Sequence, residues 1–142
     1  MNAAPNFATL LEGFFTRRLM NQRRASPHTI ASYRDTFRLL LRFAQQRLRK
    51  APSDLALADV DAPLVLAFLD EQEQRRGASA RTRNLRLTAI HSFFRYVAFE
   101  SPAHAAQVQR VLAIPSTRFT RTLVSYLTRA AVAALLAAPD RS

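Results

Sequence analysis

The chain has 142 residues, room for about one ordinary domain, and its 49% hydrophobic content is enough to build a core. Its 21 basic residues against 10 acidic ones give a net charge of +11, which favours a polyanionic partner: DNA, RNA or an acidic membrane surface. The absence of cysteine excludes disulfides and Cys-ligated metals, and a total of two glycines excludes a glycine-rich phosphate loop.

The first two predicted elements are long amphipathic helices. No stretch alternates in the manner of a strand between hairpin turns, so we expect an all-α chain. Helix A is predicted over about 6–23, with an apolar face and a basic end. Helix B is predicted from Ser26-Pro27, an N-cap followed by proline at the first helical position, to about Arg49.

A loop and a third helix follow. Residues 51–61 are predicted to form a loop, because they contain Pro52 and three aspartates. Asp61 is the expected N-cap of helix C, and Gly77 suits the position just after its end. A shorter helix E is predicted over about 103–113, after the fourth helix.

The fourth helix, helix D, is the most informative segment. Ser79 is its expected N-cap, and its apolar face includes Ile90, Phe93 and Val97. Arg86 falls beside that stripe, so we expect it to be a paired structural arginine. Side chains suited to phosphates and base edges dominate the opposite face, which comprises Arg81, Asn84, Leu85, Thr88, Ser92 and Arg95. A charged outer face is also what an ordinary surface helix carries.

The last part of the chain differs in kind. Residues 114–127 show no helical stripe and contain Arg118 and Arg121 with no acid, which indicates an extended basic linker or, alternatively, an ordinary surface tail. A further amphipathic segment starts at Thr128. We therefore predict a helical domain over 1–113, a linker over 114–127, and the first helix of a truncated second domain over 128–142.

Three local patterns together resemble a known family. They are SPHTIASYRDTFRLLLRFA from Ser26, SARTRNLRLTAIHSFFRYV from Ser79, and YLTRAAVAALLAA from Tyr126. In this order they resemble the N-terminal core-binding domain and linker of a tyrosine recombinase of the phage integrase family. Two features depart from that family: Ala130 and Ala131 stand where an acidic residue is usual, and Leu85 stands where the residue is often basic.

The resemblance implies a SAM-like bundle of four to five helices, followed by an extended linker and a short helix. In this family the core-binding and catalytic domains form a C-shaped clamp around duplex DNA, with other recombinase protomers bound beside it. Helices B and D would cross the major groove, and the linker would follow the backbone. The implied DNA-binding residues are His28, Thr29, Ser32, Arg81, Thr82, Asn84, Thr88, His91, Ser92, Arg118, Arg121 and Thr122.

The resemblance also bears on catalysis. The family's catalytic arginines, lysine, histidine and tyrosine match nothing in this chain, so we expect no catalytic residue here and a parent enzyme that exchanges strands in integration or transposition. Three scattered histidines offer no metal spacing. We expect neither a metal nor a small-molecule cofactor.

Other readings of the same features remain open. A self-standing helical DNA-binding regulator would share the basic helices, and a helical protein-interaction module would carry its charge incidentally. No apolar run approaches the roughly 20 residues of a membrane span. The N-terminal residues have no basic stretch and contain Glu12, unlike a signal peptide. We therefore expect a cytoplasmic protein without a membrane partner.

Overall fold

The fold is all-α, as predicted. The computed structural model describes residues 6–22 and 24–116. Five α-helices are found in this part of the chain: α1 (Phe7–Gly13), α2 (Pro27–Leu48), α3 (Ala62–Gln74), α4 (Ala80–Glu100) and α5 (Ala105–Leu112). A single β-bridge, between Asn6 and Ala56, is the only strand-like pairing among the described residues. Most of the predicted linker and all of the predicted terminal helix lie outside these residues, so the predicted domain boundaries stay predictions.

Local chemistry explains where the helices begin. The Ser26 hydroxyl accepts a hydrogen bond from the Thr29 amide at the start of α2, and the Asp61 carboxylate accepts one from the Leu64 amide at the start of α3. Each bond satisfies an amide that has no partner within its helix. Gly77, after α3, adopts the left-handed conformation with φ of 66°, which glycine adopts without steric penalty. These ends match the sequence predictions.

Helix A differs from its prediction in the second half. Regular α-helix ends at Gly13, and Phe14–Gln22 forms a π-helix. The wider turn keeps Phe14 and Leu19 buried while Phe15 is half-buried. The apolar residues of helix A thus follow two different helical periods. A projection that assumes 3.6 residues per turn throughout therefore cannot place all of them correctly.

The core is built around aromatic rings. The Phe93 ring of α4 lies 5.1 Å from that of Phe7, 5.6 Å from Phe14 and 5.5 Å from Phe37, measured between centroids. Edge-to-face geometry of this kind adds to the stabilisation from burial. Helix α4 is therefore held by α1, the π-helix and α2 along its apolar face, as its sequence predicts.

The predicted loop also contributes to the core. It forms two 3₁₀ turns, Pro52–Asp54 and Leu57–Asp59, and three of its side chains are completely buried: Leu55, Leu57 and Val60. The Phe7 amide donates to the Leu55 carbonyl at 3.0 Å. The side-chain amide of Gln107, in α5, donates to the carbonyls of Leu57 at 2.7 Å and Val60 at 2.9 Å.

The end of the bundle contains one further difference. Helix E was predicted from about residue 103, and the structure has a 3₁₀ turn over Pro102–His104 before α5. Val108, Val111 and Ile114 then pack into the core. None of the described helices has both the length and the apolar character needed to cross a membrane.

Candidate nucleic-acid interface

The two helices predicted to contact DNA begin with the same capping arrangement. Ser26 before α2 and Ser79 before α4 each accept a hydrogen bond from the amide of the threonine three residues later, at 3.1 Å in both cases. Each serine hydroxyl also donates to that threonine's hydroxyl, at 3.1 Å to Thr29 and 3.2 Å to Thr82. The threonine hydroxyls keep their own protons and can still donate to an acceptor outside the protein.

The first half of α4 presents an open face. Arg81, Leu85 and Thr88 are exposed and Asn84 is partly exposed, which agrees with the outer face predicted for helix D. These four side chains line one shallow depression of about 300 Å³. A guanidinium, an amide and a hydroxyl are thereby brought together on one surface. The guanidinium and the amide can bind phosphate oxygens or base edges. The Thr88 hydroxyl donates to the Asn84 carbonyl at 2.9 Å, so it can accept a hydrogen bond from a base edge.

Two arginines of α4 fix this face in place. Arg86 donates from Nη1 to Asp35 Oδ2 at 3.3 Å and to Thr36 Oγ1 at 3.2 Å, which ties α4 to α2. The role expected for Arg86 as a paired structural residue is therefore confirmed. Arg83 is only 6% exposed and lies 3.7 Å from Glu73 of α3, measured between Nε and Oε1.

The predicted DNA-binding residues of α2 lie in its first two turns. His28 and Ser32 are exposed, and Thr29 is partly exposed beside its cap. The Thr36 hydroxyl that binds Arg86 also donates to the Ser32 carbonyl one turn earlier, at 3.1 Å. Ser32 therefore lies within one helical turn of the junction between α2 and α4.

Two predicted residues on α4 have other roles in this structure. Ser92 is buried, with 9% of its surface exposed, in the half of α4 where the Phe93 and Tyr96 rings pack against Phe14 of the π-helix. His91 is half-buried, and its Nε2 lies 3.0 Å from the Val111 carbonyl at the end of α5. Burial lowers the pKa of His91, which favours the neutral ring. Neither side chain extends the open face, so we remove both from the proposed interface.

The predicted DNA-binding residues of the linker follow α5 in the sequence. Arg118, Arg121 and Thr122 lie outside the described residues. A second basic stripe, which the sequence analysis did not single out, lies on the exposed side of α2 and consists of Arg34, Arg38 and Arg42. Their spacing of four residues was the available signal. None of the three forms an ion pair with a described residue.

Tyr33 and Tyr96, the tyrosines in the described part of the chain, both pack against Phe14. Tyr33 is half-buried and stacks on Phe14, with ring centroids 6.4 Å apart. Tyr96 is 3% exposed, and burial raises the pKa of its phenol, which keeps the proton on the oxygen. Within the described ranges, no group of three or more His, Asp or Glu side chains is arranged to hold a metal ion.

Comparison with known proteins gives a consistent assignment. Residues 13–101 match the family described as "Phage integrase, N-terminal SAM-like domain". The chain is 69% identical over all of its 142 residues to the Sinorhizobium fredii protein named "Putative integrase/recombinase y4rC", of which it covers 43%. It is 51% identical over 133 residues, or 94% of the chain, to "Putative integrase/recombinase y4rD" of the same strain, of which it covers 47%.

The chain spans less than half the length of either relative. No solved structure matches it significantly. The family match nevertheless covers more than half of the chain and includes α2, α3 and α4 in full. The chain belongs to the phage integrase family, of which it carries the N-terminal SAM-like domain.

Proposed function

We propose that this chain binds duplex DNA sequence-specifically, as the core-binding part of a tyrosine recombinase. The parent enzyme would exchange DNA strands in integration or transposition, together with other protomers bound to the same DNA, in the cytoplasm. The family membership and the names of the two relatives support this proposal. The net charge of +11 supports a polyanionic partner.

The observation that carries the proposal is the open face of α4. Its apolar side is fully used by the core, where Leu87, Ile90 and Phe94 have no exposed surface. The polar side chains of Arg81 and Thr88 are therefore held outward by a fixed helix rather than by a mobile loop. A preorganised helix face of this kind loses little conformational entropy on entering a major groove.

The proposed contacts divide into two kinds. Asn84 and Thr88 lie mid-face, where they can reach base edges, and a bidentate contact from asparagine to adenine contributes about 1 to 3 kcal/mol of discrimination. Arg81 lies in the first turn of α4 and would bind phosphate. His28, Thr29, Ser32 and Thr82 would add contacts from the two helix starts. Arg118, Arg121 and Thr122 would bind the backbone and raise affinity for all sequences alike.

A matched pair of arginine variants tests the location of the interface. Arg81 and Arg34 are both exposed helical arginines, Arg81 on α4 and Arg34 on the side of α2 next to Leu11 and Phe15. Binding of a fluorescent duplex is measured by anisotropy from low to moderate salt for Arg81→Gln, Arg34→Gln and the parent chain. Each phosphate contact contributes about −0.9 to the slope of log K against log salt. We expect the slope of Arg81→Gln to be shallower by about 1 and that of Arg34→Gln to be unchanged.

Two outcomes would contradict the proposal. Equal losses for both variants would indicate attraction to the general charge rather than a defined face. A salt-independent response of the parent chain would favour the protein-interaction module instead.

We further propose that this chain does not cleave DNA. The buried phenol of Tyr96 and the stacked ring of Tyr33 support this, since a nucleophilic tyrosine must reach the phosphate. The chain is incubated with a nicked duplex carrying its preferred site, and covalent protein–DNA adducts are sought on denaturing gels. An adduct that disappears when one of the three tyrosines is changed to phenylalanine would contradict the proposal.

A further inference from the structure

Leu85 is the unexplained member of the open α4 face. It is 54% exposed and is absent from the apolar side chains that pack on the core. The other strongly exposed apolar side chain of α4, Phe99 at 74%, lies beneath the guanidinium of Arg18, 6.0 Å from its ring centroid. Leu85 therefore presents bare apolar surface in the middle of a polar face.

The neighbours of Leu85 restrict what can cover it. Arg81 precedes it by one turn, Thr88 follows by one turn, and Asn84 is adjacent, so the bare apolar surface is one side chain wide. A docking protein helix requires a row of apolar anchors at i, i+3 and i+4. A partner with one small apolar group set among hydrogen-bonding groups fits this surface better. The positive charge of Arg81 favours a polyanion as the molecule that carries that group.

The major groove of DNA offers such a group. The C5-methyl of thymine is an apolar group on the base edges there, and it pairs with apolar side chains. We propose that Leu85 contacts a thymine methyl and so determines part of the DNA sequence that this chain selects. This inference rests on the proposed DNA-binding function and adds a specificity residue to it.

The position of Leu85 also defines which base pair it reads. Consecutive residues rise by about 1.5 Å along a helix, and Asn84 and Leu85 line the same depression, so the two side chains would address the same or neighbouring base pairs. An A·T pair displays adenine N6 and N7 and the thymine methyl on one edge. Asn84 would bind the adenine while Leu85 contacts the methyl, and the two side chains together would select A·T at that point.

Deoxyuridine substitution isolates the methyl group. A preferred duplex is first selected from a random library with the whole 142-residue chain. Each thymine is then replaced in turn by deoxyuridine, which removes the methyl and keeps the base pairing. At one or two positions we expect binding of the parent chain to weaken about fourfold, the factor that corresponds to about 0.8 kcal/mol for one buried methyl-sized group.

Two leucine variants assign that loss to a residue. Leu85→Ala should bind the thymine and deoxyuridine duplexes equally, because its side chain no longer reaches the methyl. Leu66→Ala removes a similarly exposed leucine, 43% exposed on α3, and should keep the fourfold difference. Thermal unfolding is the control for folding, and we expect both variants to remain folded because both substitutions are at exposed positions.

The outcomes separate this inference from the proposed function. If DNA is selected but no deoxyuridine weakens binding, the inference is wrong and the proposed function stands. If the difference persists in Leu85→Ala, another residue contacts the methyl and the inference is again wrong. If no duplex is bound or selected, the proposed function fails, and the role of Leu85 in DNA recognition fails with it.

Discussion

Gly13, the last residue of α1, allows a sharp test of how the N-terminal segment packs on α4. A β-carbon at Gly13 would lie 2.5 Å from the phenol oxygen of Tyr96. Tyr96 is 3% exposed and its ring packs against Phe14, so its oxygen cannot move outward without displacing the core. Gly13→Ala should therefore destabilise the domain although alanine is the better helix former.

The magnitude follows from two opposing effects. Alanine in place of glycine within a helix stabilises by about 1 kcal/mol. Overpacking of a filled core costs about 1 to 3 kcal/mol. We expect the steric effect to dominate and Gly13→Ala to lower the free energy of unfolding by about 1 kcal/mol. Tyr96→Phe removes the obstructing oxygen, after which the nearest neighbours are Arg17 Nη2 at 3.4 Å and the Tyr96 Cζ position at 3.6 Å.

A double-mutant cycle measured by chemical denaturation makes the test decisive. Gly13→Ala should destabilise the parent chain and stabilise the Tyr96→Phe variant by up to about 1 kcal/mol, so the sign of its effect reverses. Tyr96→Phe alone is the control, and it should change stability little because its hydroxyl makes no hydrogen bond that the structure shows within the described residues. If Gly13→Ala stabilises both backgrounds equally, the close approach of Gly13 and Tyr96 is wrong.

Three further predictions concern helix ends and pH. Asp61→Ala removes the cap on the Leu64 amide and should lower the free energy of unfolding by about 1 kcal/mol, measured by urea titration. Because burial lowers the pKa of His91, its contribution to stability is complete above its ordinary pKa of 6.5 and is lost as the pH falls; His91→Gln should flatten this part of the stability–pH curve. Hydrogen bonds from the Ala56 amide and Lys50 lower the pKa of Asp59, so its contribution is complete above 3.8 and is lost in stronger acid; Asp59→Asn should remove that acid-dependent loss.

Features set by near neighbours in the sequence could be predicted. The caps at Ser26, Asp61 and Ser79 depend on an amide only three residues away, and all three form as expected. The role of Arg86 also followed from its place at the edge of an apolar stripe. The first half of α4 agrees with its predicted polar face, because Arg81, Leu85 and Thr88 remain exposed.

Features set by distant contacts could not be predicted. Ser92 falls on the polar side of the predicted helix, yet it is buried in the folded domain. Leu55 and Leu57 are completely buried although their segment has no helical period, and their carbonyls are bound by Phe7 and Gln107, which are distant in the sequence. His91 was predicted to contact DNA from its place on the outer face of α4, whereas in the structure its Nε2 lies 3.0 Å from the Val111 carbonyl of α5. Each of these depends on the tertiary path of the chain rather than on its local pattern.

Hydrogen bonds hold the 51–61 loop near both of its ends, and they determine how the domain unfolds locally. Asn6 and Phe7, before and at the start of α1, bind this loop at the Ser53 and Leu55 carbonyls, and Gln107 of α5 binds it at the Leu57 and Val60 carbonyls. Detachment of α5 would leave the Leu57 and Val60 carbonyls without these partners and expose the valines that α5 buries. Local fraying at Gln107 is therefore coupled to loosening at residues nearly 50 positions earlier in the chain. In amide exchange the loop and α5 should behave as one cooperative unit, and contacts of such long range should be among the last to form as the chain folds.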